Sequence, residues 1–176
     1  MANKRARLLG TALAGCCIIL SPAWAGSELY RDSCTLGGGS QISIVEMRQD
    51  QENHEIKLLI NGQARPAFSE LGSAEYEVGE IVMSRCDDRA FVFVFNYGSP
   101  YLRGFAYRQC GQTLTRLDFA EKLPPLALSR CSEPLFAVFD NEEAGGYKII
   151  DAQRTRTVSR IRKARIFVLD GNRRKP

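Results

Sequence analysis

Apolar and polar residues alternate in short segments along most of the chain beyond residue 40, a pattern typical of half-buried β-strands. Two clear examples are Gln41–Met47 and His54–Ile60. Asn61 and Gly62 follow the second segment, and because both residues tolerate a positive φ they predict a two-residue hairpin turn. The pattern therefore predicts antiparallel strands joined by tight turns.

One segment, Ala90–Phe95, is apolar at every position, which is typical of a central strand covered on both faces. Five further segments have the length and composition of strands: Leu102–Arg108, Thr113–Phe119, Leu135–Phe139, Tyr147–Ile150 and Ala164–Leu169. A helix is conceivable at Glu70–Glu80, although two glycines weaken it. Pro124 and Pro125 exclude regular structure and divide the strand-rich region into two halves.

A faint internal repeat relates these halves. Ser84–Phe91 aligns without gaps on Ser129–Phe136, an offset of 45 residues. A period near 45 is the size of one propeller blade, but a closed propeller needs at least four blades and this chain has room for about three. The predicted fold is therefore all-β: an antiparallel sandwich or meander of two related, blade-like units packed face to face. Chance similarity between two strand-rich segments is the alternative.

The first 25 residues have the pattern of a cleaved export signal. Lys4, Arg5 and Arg7 precede an apolar run from Leu8 to Leu20, and Ala23-Trp24-Ala25 provides the small residues that a signal peptidase requires. The mature protein is therefore expected to begin at residue 26 and to reside in a bacterial periplasm.

The same segment allows a second interpretation. Leu13-Ala14-Gly15-Cys16 resembles a lipobox, in which Cys16 would be acylated and become the first mature residue. The residues after Cys16 are the most apolar of the segment, whereas a lipoprotein usually continues with a polar tether. Simple cleavage therefore fits the whole segment better.

Charge is distributed unevenly along the expected mature chain. Residues 26–153 contain 12 Lys/Arg and 19 Asp/Glu and form an acidic β-rich domain, whereas residues 154–176 contain 9 Lys/Arg and 1 acid. The latter form a basic strand and tail, part of the same domain to about residue 170. They could lie on the acidic body or contact an anionic envelope surface of lipid or polymer. Nucleic acid is excluded as a partner by the export signal. The basic residues proposed for contact are Arg160, Arg162, Lys163 and Arg165.

Four cysteines remain after cleavage, and an even number in an exported protein favours two disulfides over buried thiols. In a hairpin of Ala90–Tyr97 with Tyr101–Arg108, opposed residues have numbers that add up to about 197. This register places Cys86 opposite Cys110, which leaves Cys34 to pair with Cys131.

The sequence contains no constellation that catalysis requires. His54 is the only histidine, and neither a nucleophile elbow nor a phosphate-binding loop is present. Gly37–Ser40 is interpreted as a flexible link. Carboxylates are numerous, but nothing selects a pair for hydrolysis and no spacing indicates a calcium site. The expectation is therefore that the protein is not an enzyme and has no metal or cofactor.

The candidate binding residues lie in two loops at equivalent positions of the repeat. The first loop contains Tyr97, Tyr101 and Arg103, residue types that are enriched at binding hot spots. The second contains Glu142 and Glu143. The two loops could form one binding edge, or they could be ordinary hairpin loops whose tyrosines cover the core.

These observations favour a binding function. The leading hypothesis is an exported inhibitor or immunity protein that blocks an enzyme or toxin attacking the cell envelope. The second is a structural or assembly accessory of the envelope that contacts anionic polymer or lipid. The third is a carboxylate-dependent hydrolase, which lacks a recognisable site.

Overall fold

The computed structural model describes residues 27–48, 54–68, 80–96 and 100–169. The predicted export signal, most of the helix considered at residues 70–80, and Tyr97 lie outside this range. Within it, the chain forms three antiparallel β-sheets, which confirms the all-β prediction. Asn61 (φ 51°) and Gly62 (φ 78°) form the predicted hairpin turn.

Each sheet is a meander in which strands that follow one another in the chain lie side by side. The first sheet contains β1 (Ser27–Thr35), β2 (Gln41–Arg48), β3 (His54–Ile60) and β4 (Gln63–Pro66). The second contains β5 (Glu80–Cys86), β6 (Ala90–Asn96), β7 (Leu102–Cys110) and β8 (Thr113–Glu121). The third contains β9 (Ala127–Ser129), β10 (Phe136–Asp140), β11 (Tyr147–Asp151), β12 (Thr155–Val158) and β13 (Ile166–Val168).

The third sheet departs from simple chain order at one edge. Its strands follow the order β12-β11-β10-β9-β13, so the last strand returns to pair with β9. A short 3₁₀ turn, Lys163–Arg165, precedes β13. The segment Ala164–Leu169, predicted as a strand throughout, is therefore a strand only from Ile166 to Val168.

The second sheet lies between the other two, and β6 explains why. Phe91, Phe93 and Phe95 project toward the first sheet, whereas Val92 and Val94 project toward the third. Because alternate side chains of a strand point to opposite faces, a strand covered on both sides must be apolar at every position. All six residues from Ala90 to Phe95 are buried, as predicted.

Two cores fill the spaces between the sheets. In the first core, Ile42, Ile44 and Leu58 of the first sheet contact the phenylalanines of the second. In the second core, Phe119 of the second sheet meets Phe139 of the third edge to face, with ring centroids 5.2 Å apart. The two segments related by the offset of 45 residues thus lie in separate sheets. The first sheet, which contains the predicted strands β2 and β3, is a further unit beyond the two that the repeat suggested.

Two disulfides are present, as predicted, but the predicted pairing is wrong. Cys34 is bonded to Cys86, and Cys110 is bonded to Cys131. Because β6 lies between β5 and β7, the strands that carry Cys86 and Cys110 are two spacings, about 10 Å, apart, beyond the ~7 Å Cα limit for a bridge. Each bridge instead joins the second sheet to one neighbouring sheet.

The segment Gly37–Ser40 is a tight turn between β1 and β2, so its interpretation as a flexible link is wrong. The Leu36 N–H donates to the Ser40 carbonyl (2.9 Å), and the Gly37 N–H donates to the Asp88 carbonyl (2.6 Å). A Cβ atom on Gly38 would lie 2.6 Å from the Gly111 carbonyl oxygen, so glycine is required for this approach. The turn is thereby held against the second sheet.

A buried arginine supports the second disulfide. Arg108 of β7 is only 4% exposed and donates from Nη1 to the Ser129 hydroxyl (2.6 Å) and to the Ser129 and Arg130 carbonyls (3.0 and 2.8 Å). Its Nη2 donates to the Glu133 carbonyl (2.9 Å). Burial of the charge lowers the pKa of Arg108 below its usual value. Arg108 thus fixes the loop that carries Cys131.

Candidate binding site

A cleft of about 200 Å³ opens where the second and third sheets end, away from the disulfides. Two apolar side chains, Leu123 and the buried Phe139, form part of its lining. Tyr101, which is 45% exposed, stands at its rim. The remaining lining residues are polar or charged: Glu121, Lys122, Asp140, Asn141, Glu142, Glu143 and Lys148.

Strand pairing explains why these residues meet. Tyr101 immediately precedes Leu102, which pairs with Glu121 in the β7–β8 ladder. In the third sheet Asp140, at the end of β10, pairs with Tyr147, so the connection between β10 and β11 opens at the same end of the molecule. The packing of the second sheet on the third brings the two ladder ends together.

The β10–β11 connection has a compact conformation that requires glycine. Gly145 and Gly146 both have a positive φ, 71° and 81°, which other residues adopt at a cost. A Cβ atom on Gly146 would also lie 2.6 Å from the Val158 carbonyl oxygen. The Asn141 N–H donates to the Gly146 carbonyl (3.2 Å) and closes the loop. Glu142 and Glu143 are thereby displayed at its tip.

Ion pairs neutralise part of the cleft. The Lys122 ammonium lies 2.6 Å from a Glu143 carboxylate oxygen, and this hydrogen bond lowers the pKa of Glu143 and raises the pKa of Lys122. Lys148 forms an ion pair with Glu121. Four carboxylates therefore face two ammonium groups, and the cleft has an excess of two negative charges. The exposed carboxylates of Asp140 and Glu142 account for this excess.

The structure brings together three of the five predicted binding residues: Tyr101, Glu142 and Glu143. Arg103 is not among the residues that line the cleft. In the β6–β7 ladder it pairs with Phe95, whose side chain belongs to the first core, so Arg103 lies on the opposite face of the sheet. Tyr97 lies outside the described residues.

Sequence reasoning missed the two lysines of the cleft. Lys122 directly follows β8, and Lys148 is the second residue of β11. Lysines at such positions are usually solvated, and the sequence gives no sign of a partner. The offset of 45 residues indicated which loops correspond, but only the packing of two sheets places Lys122 beside Glu143.

The predicted basic residues divide into two groups. Arg165 donates from Nε to Glu133 Oε1 (2.7 Å), and its Nη2 donates to the other oxygen of the same carboxylate. This hydrogen bonding lowers the pKa of Glu133. Arg165 therefore contacts the body of the protein through Glu133. Arg160, Arg162 and Lys163 are exposed.

The described residues contain no group of three or more His, Cys, Asp and Glu side chains arranged to hold a metal ion. His54, the only histidine, is the first residue of β3. In the same part of the chain, no helix has the length and apolarity needed to cross a membrane.

Comparisons with protein-family models, curated proteins and solved structures find no match to this chain. The functional argument therefore depends on the chemistry of the surface itself. The cleft combines an exposed aromatic ring, two apolar lining side chains and two carboxylates in excess, which together suit a cationic side chain with an apolar stem.

Proposed function

We propose that this protein is an exported, non-catalytic binding protein that inhibits, or gives immunity to, an enzyme or toxin attacking the cell envelope. One observation carries the proposal: Tyr101, Glu142 and Glu143, selected from two separate loops by sequence, line a single cleft. The two disulfides suggest an oxidising, exported compartment.

The size and charge of the cleft indicate what it binds. Its volume of about 200 Å³ is below the ~300–1,000 Å³ of sites that enclose small molecules. It suits one side chain of a larger partner. The excess of negative charge in the cleft favours an Arg or Lys side chain of that partner. Glu142 would form an ion pair with this side chain, and the ring of Tyr101 would cover it. The preferred partner is therefore a protein with an exposed basic residue near its active centre.

Rigidity also supports inhibition. The cleft lies between the second and third sheets, which are joined by the Cys110–Cys131 bridge and by the hydrogen bonds of Arg108. A surface that is already ordered loses less conformational entropy on binding, which raises affinity for a given contact area. Inhibitors depend on such pre-organisation.

Capture from envelope extract tests this proposal. The immobilised protein is compared with Tyr101→Ala, with Glu142→Gln and with the control Asp88→Asn, which removes an exposed carboxylate at the opposite end of the second sheet. A cleft-dependent partner is retained by the unchanged protein and by the control but lost from both cleft variants, since truncating an anchor costs about 2 kcal/mol or more.

Thermal unfolding of each variant separates binding from folding. If Tyr101→Ala lowers the melting temperature but retains the same proteins, Tyr101 covers the core and the proposal is wrong. A captured enzyme must also lose activity when the unchanged protein is added. Retention without inhibition would support the accessory hypothesis instead.

The proposal also includes a cellular location and a structural relation between two of the sheets. The mature chain begins at residue 26 in the periplasm, which the mass of the exported protein tests. The second and third sheets are related, blade-like units, as the offset of 45 residues suggests. Consistent with this, β6 and β10 occupy corresponding positions in the two meanders.

A further inference from the structure

The segment that joins β12 to β13, residues 159–165, crosses the outer face of the third sheet. β12 and β13 form opposite edges of this sheet, four strand spacings or about 19 Å apart. The outer face carries a cluster of buried apolar residues: Ala127, Phe136, Val138 and Ile149. Ile161, near the middle of the crossing segment, packs against this outer cluster. The segment therefore covers the sheet instead of passing around its end.

Because Ile161 points inward, its neighbours point outward. Arg160, Arg162 and Lys163 are exposed, and none of the ion pairs found among the described residues includes them. The crossing segment thus presents three cations to solvent on the face of a sheet.

Flanking residues extend the positive charge. Residues 151–168 contain six basic residues and one acid, Asp151, which lies 3.9 Å from Arg154. Glu133 adds a second acid and is engaged by Arg165. Residues 151–168 together with Glu133 therefore have an excess of four positive charges, and both acids in this count form ion pairs.

An exposed aliphatic side chain lies on the same face as these charges. Val168 of the edge strand β13 is 64% exposed. Phe167 projects into the second core, so alternation places Val168 on the outer face with Ile166. Moving the exposed apolar surface of Val168 out of water is favourable, so this side chain can contribute to binding.

We propose that this outer face, centred on Arg160, Arg162, Lys163 and Val168, docks on a membrane surface that contains anionic lipid headgroups. Cations that share a face with an exposed apolar side chain match the two components of such a surface, the negative headgroups and the acyl boundary below them. A soluble polyanion would match only the charges. The surface is separate from the cleft, so this proposal does not depend on the proposed function.

Vesicle co-sedimentation tests the docking surface, with all variants compared in the same purified form. Vesicles of phosphatidylcholine alone are compared with vesicles that also contain phosphatidylglycerol. We expect binding only to the latter, and a steep loss of binding as salt shortens the screening length from about 30 Å to about 3 Å. Arg160→Gln/Arg162→Gln/Lys163→Gln should lower the partition coefficient about 100-fold, because each basic residue contributes about fivefold.

Two further variants make the test specific. Lys57→Gln/Arg65→Gln/Arg85→Gln removes the same charge from the first and second sheets and should keep most of the binding. Val168→Ser should weaken binding about threefold to tenfold without changing the salt dependence. Equal losses in the two triple variants, or equal binding to both vesicle types, would overturn the proposal. So would tight binding to inorganic polyphosphate together with no effect of Val168→Ser, which would identify a soluble polyanion as the partner.

Discussion

Removing the disulfides one at a time tests how the three sheets are held together. The Cys34–Cys86 bridge joins residues 52 apart in sequence, and the Cys110–Cys131 bridge joins residues 21 apart. From the loop entropy that each bridge removes from the unfolded chain, the first contributes about 4 kcal/mol and the second about 3 kcal/mol. The two loops do not overlap, so the contributions should add to about 7 kcal/mol. This sum is comparable to the whole stability of an ordinary domain.

The variants are Cys34→Ala/Cys86→Ala, Cys110→Ala/Cys131→Ala and the combination, and the measurement is guanidinium unfolding. We expect the free energy of unfolding to fall more for the first pair than for the second, because the longer loop constrains the unfolded chain more. The slope of free energy against denaturant should increase, since an unfolded chain without bridges exposes more surface. The combination should be largely unfolded.

A reversed order would refute this reasoning. If losing Cys110–Cys131 costs more than losing Cys34–Cys86, the second bridge acts mainly in the folded state, through the loop that Arg108 holds. The variant that lacks both disulfides is expected to be unfolded only if the contributions of the two bridges to stability add. A combination that stays within about 2 kcal/mol of the unchanged protein would mean that the two cores alone stabilise the fold.

Two further predictions concern packing and charge. Gly104→Ala should lower the free energy of unfolding by about 1–3 kcal/mol. The reason is that the new Cβ atom would lie 2.5 Å from the Phe119 ring and 2.6 Å from the Phe93 carbonyl oxygen. A denaturant unfolding curve identical to that of the unchanged protein would contradict this prediction. Hydrogen bonding from Arg165 lowers the pKa of Glu133, so the stability due to this pair is present above the ordinary carboxyl pKa and is lost as pH falls through the lowered value. In NMR titration, Arg165→Gln should raise the pKa of Glu133 toward the ordinary value of a carboxyl group. If the pKa of Glu133 is the same in the variant and in the unchanged protein, a group other than Arg165 causes the shift.

Strand register was predictable to within one residue because it depends on local pattern. The predicted hairpin opposed residues whose numbers add up to about 197, and Ala90 pairs with Arg108 in the structure. Strands without strong alternation were missed, for physical reasons. β9 has only three residues, and the edge strand β12 contains two exposed threonines and one arginine, a composition that resembles a loop.

The disulfide pairing was not predictable in the same way, because it depends on how sheets stack. A register within one hairpin cannot show that β5 lies on the far side of β6 from β7. The same limit applies to the cleft. Residue type indicated Tyr101 and the offset of 45 residues indicated Glu142, whereas Lys122 and Lys148 join them only through contacts between sheets.

The cleft and the basic outer face lie on different surfaces, and this separation has a consequence for mechanism. The cleft opens at the ends of the strands, beside Tyr101, while Arg162 lies on the outer face of the third sheet. A protein docked on lipid through that face would keep its cleft accessible to an enzyme working at the same membrane. Docking would raise the local concentration of this protein at the membrane, which increases apparent affinity for a partner there without a new contact. On this view Arg162→Gln leaves affinity in solution unchanged and weakens inhibition only when anionic vesicles are present.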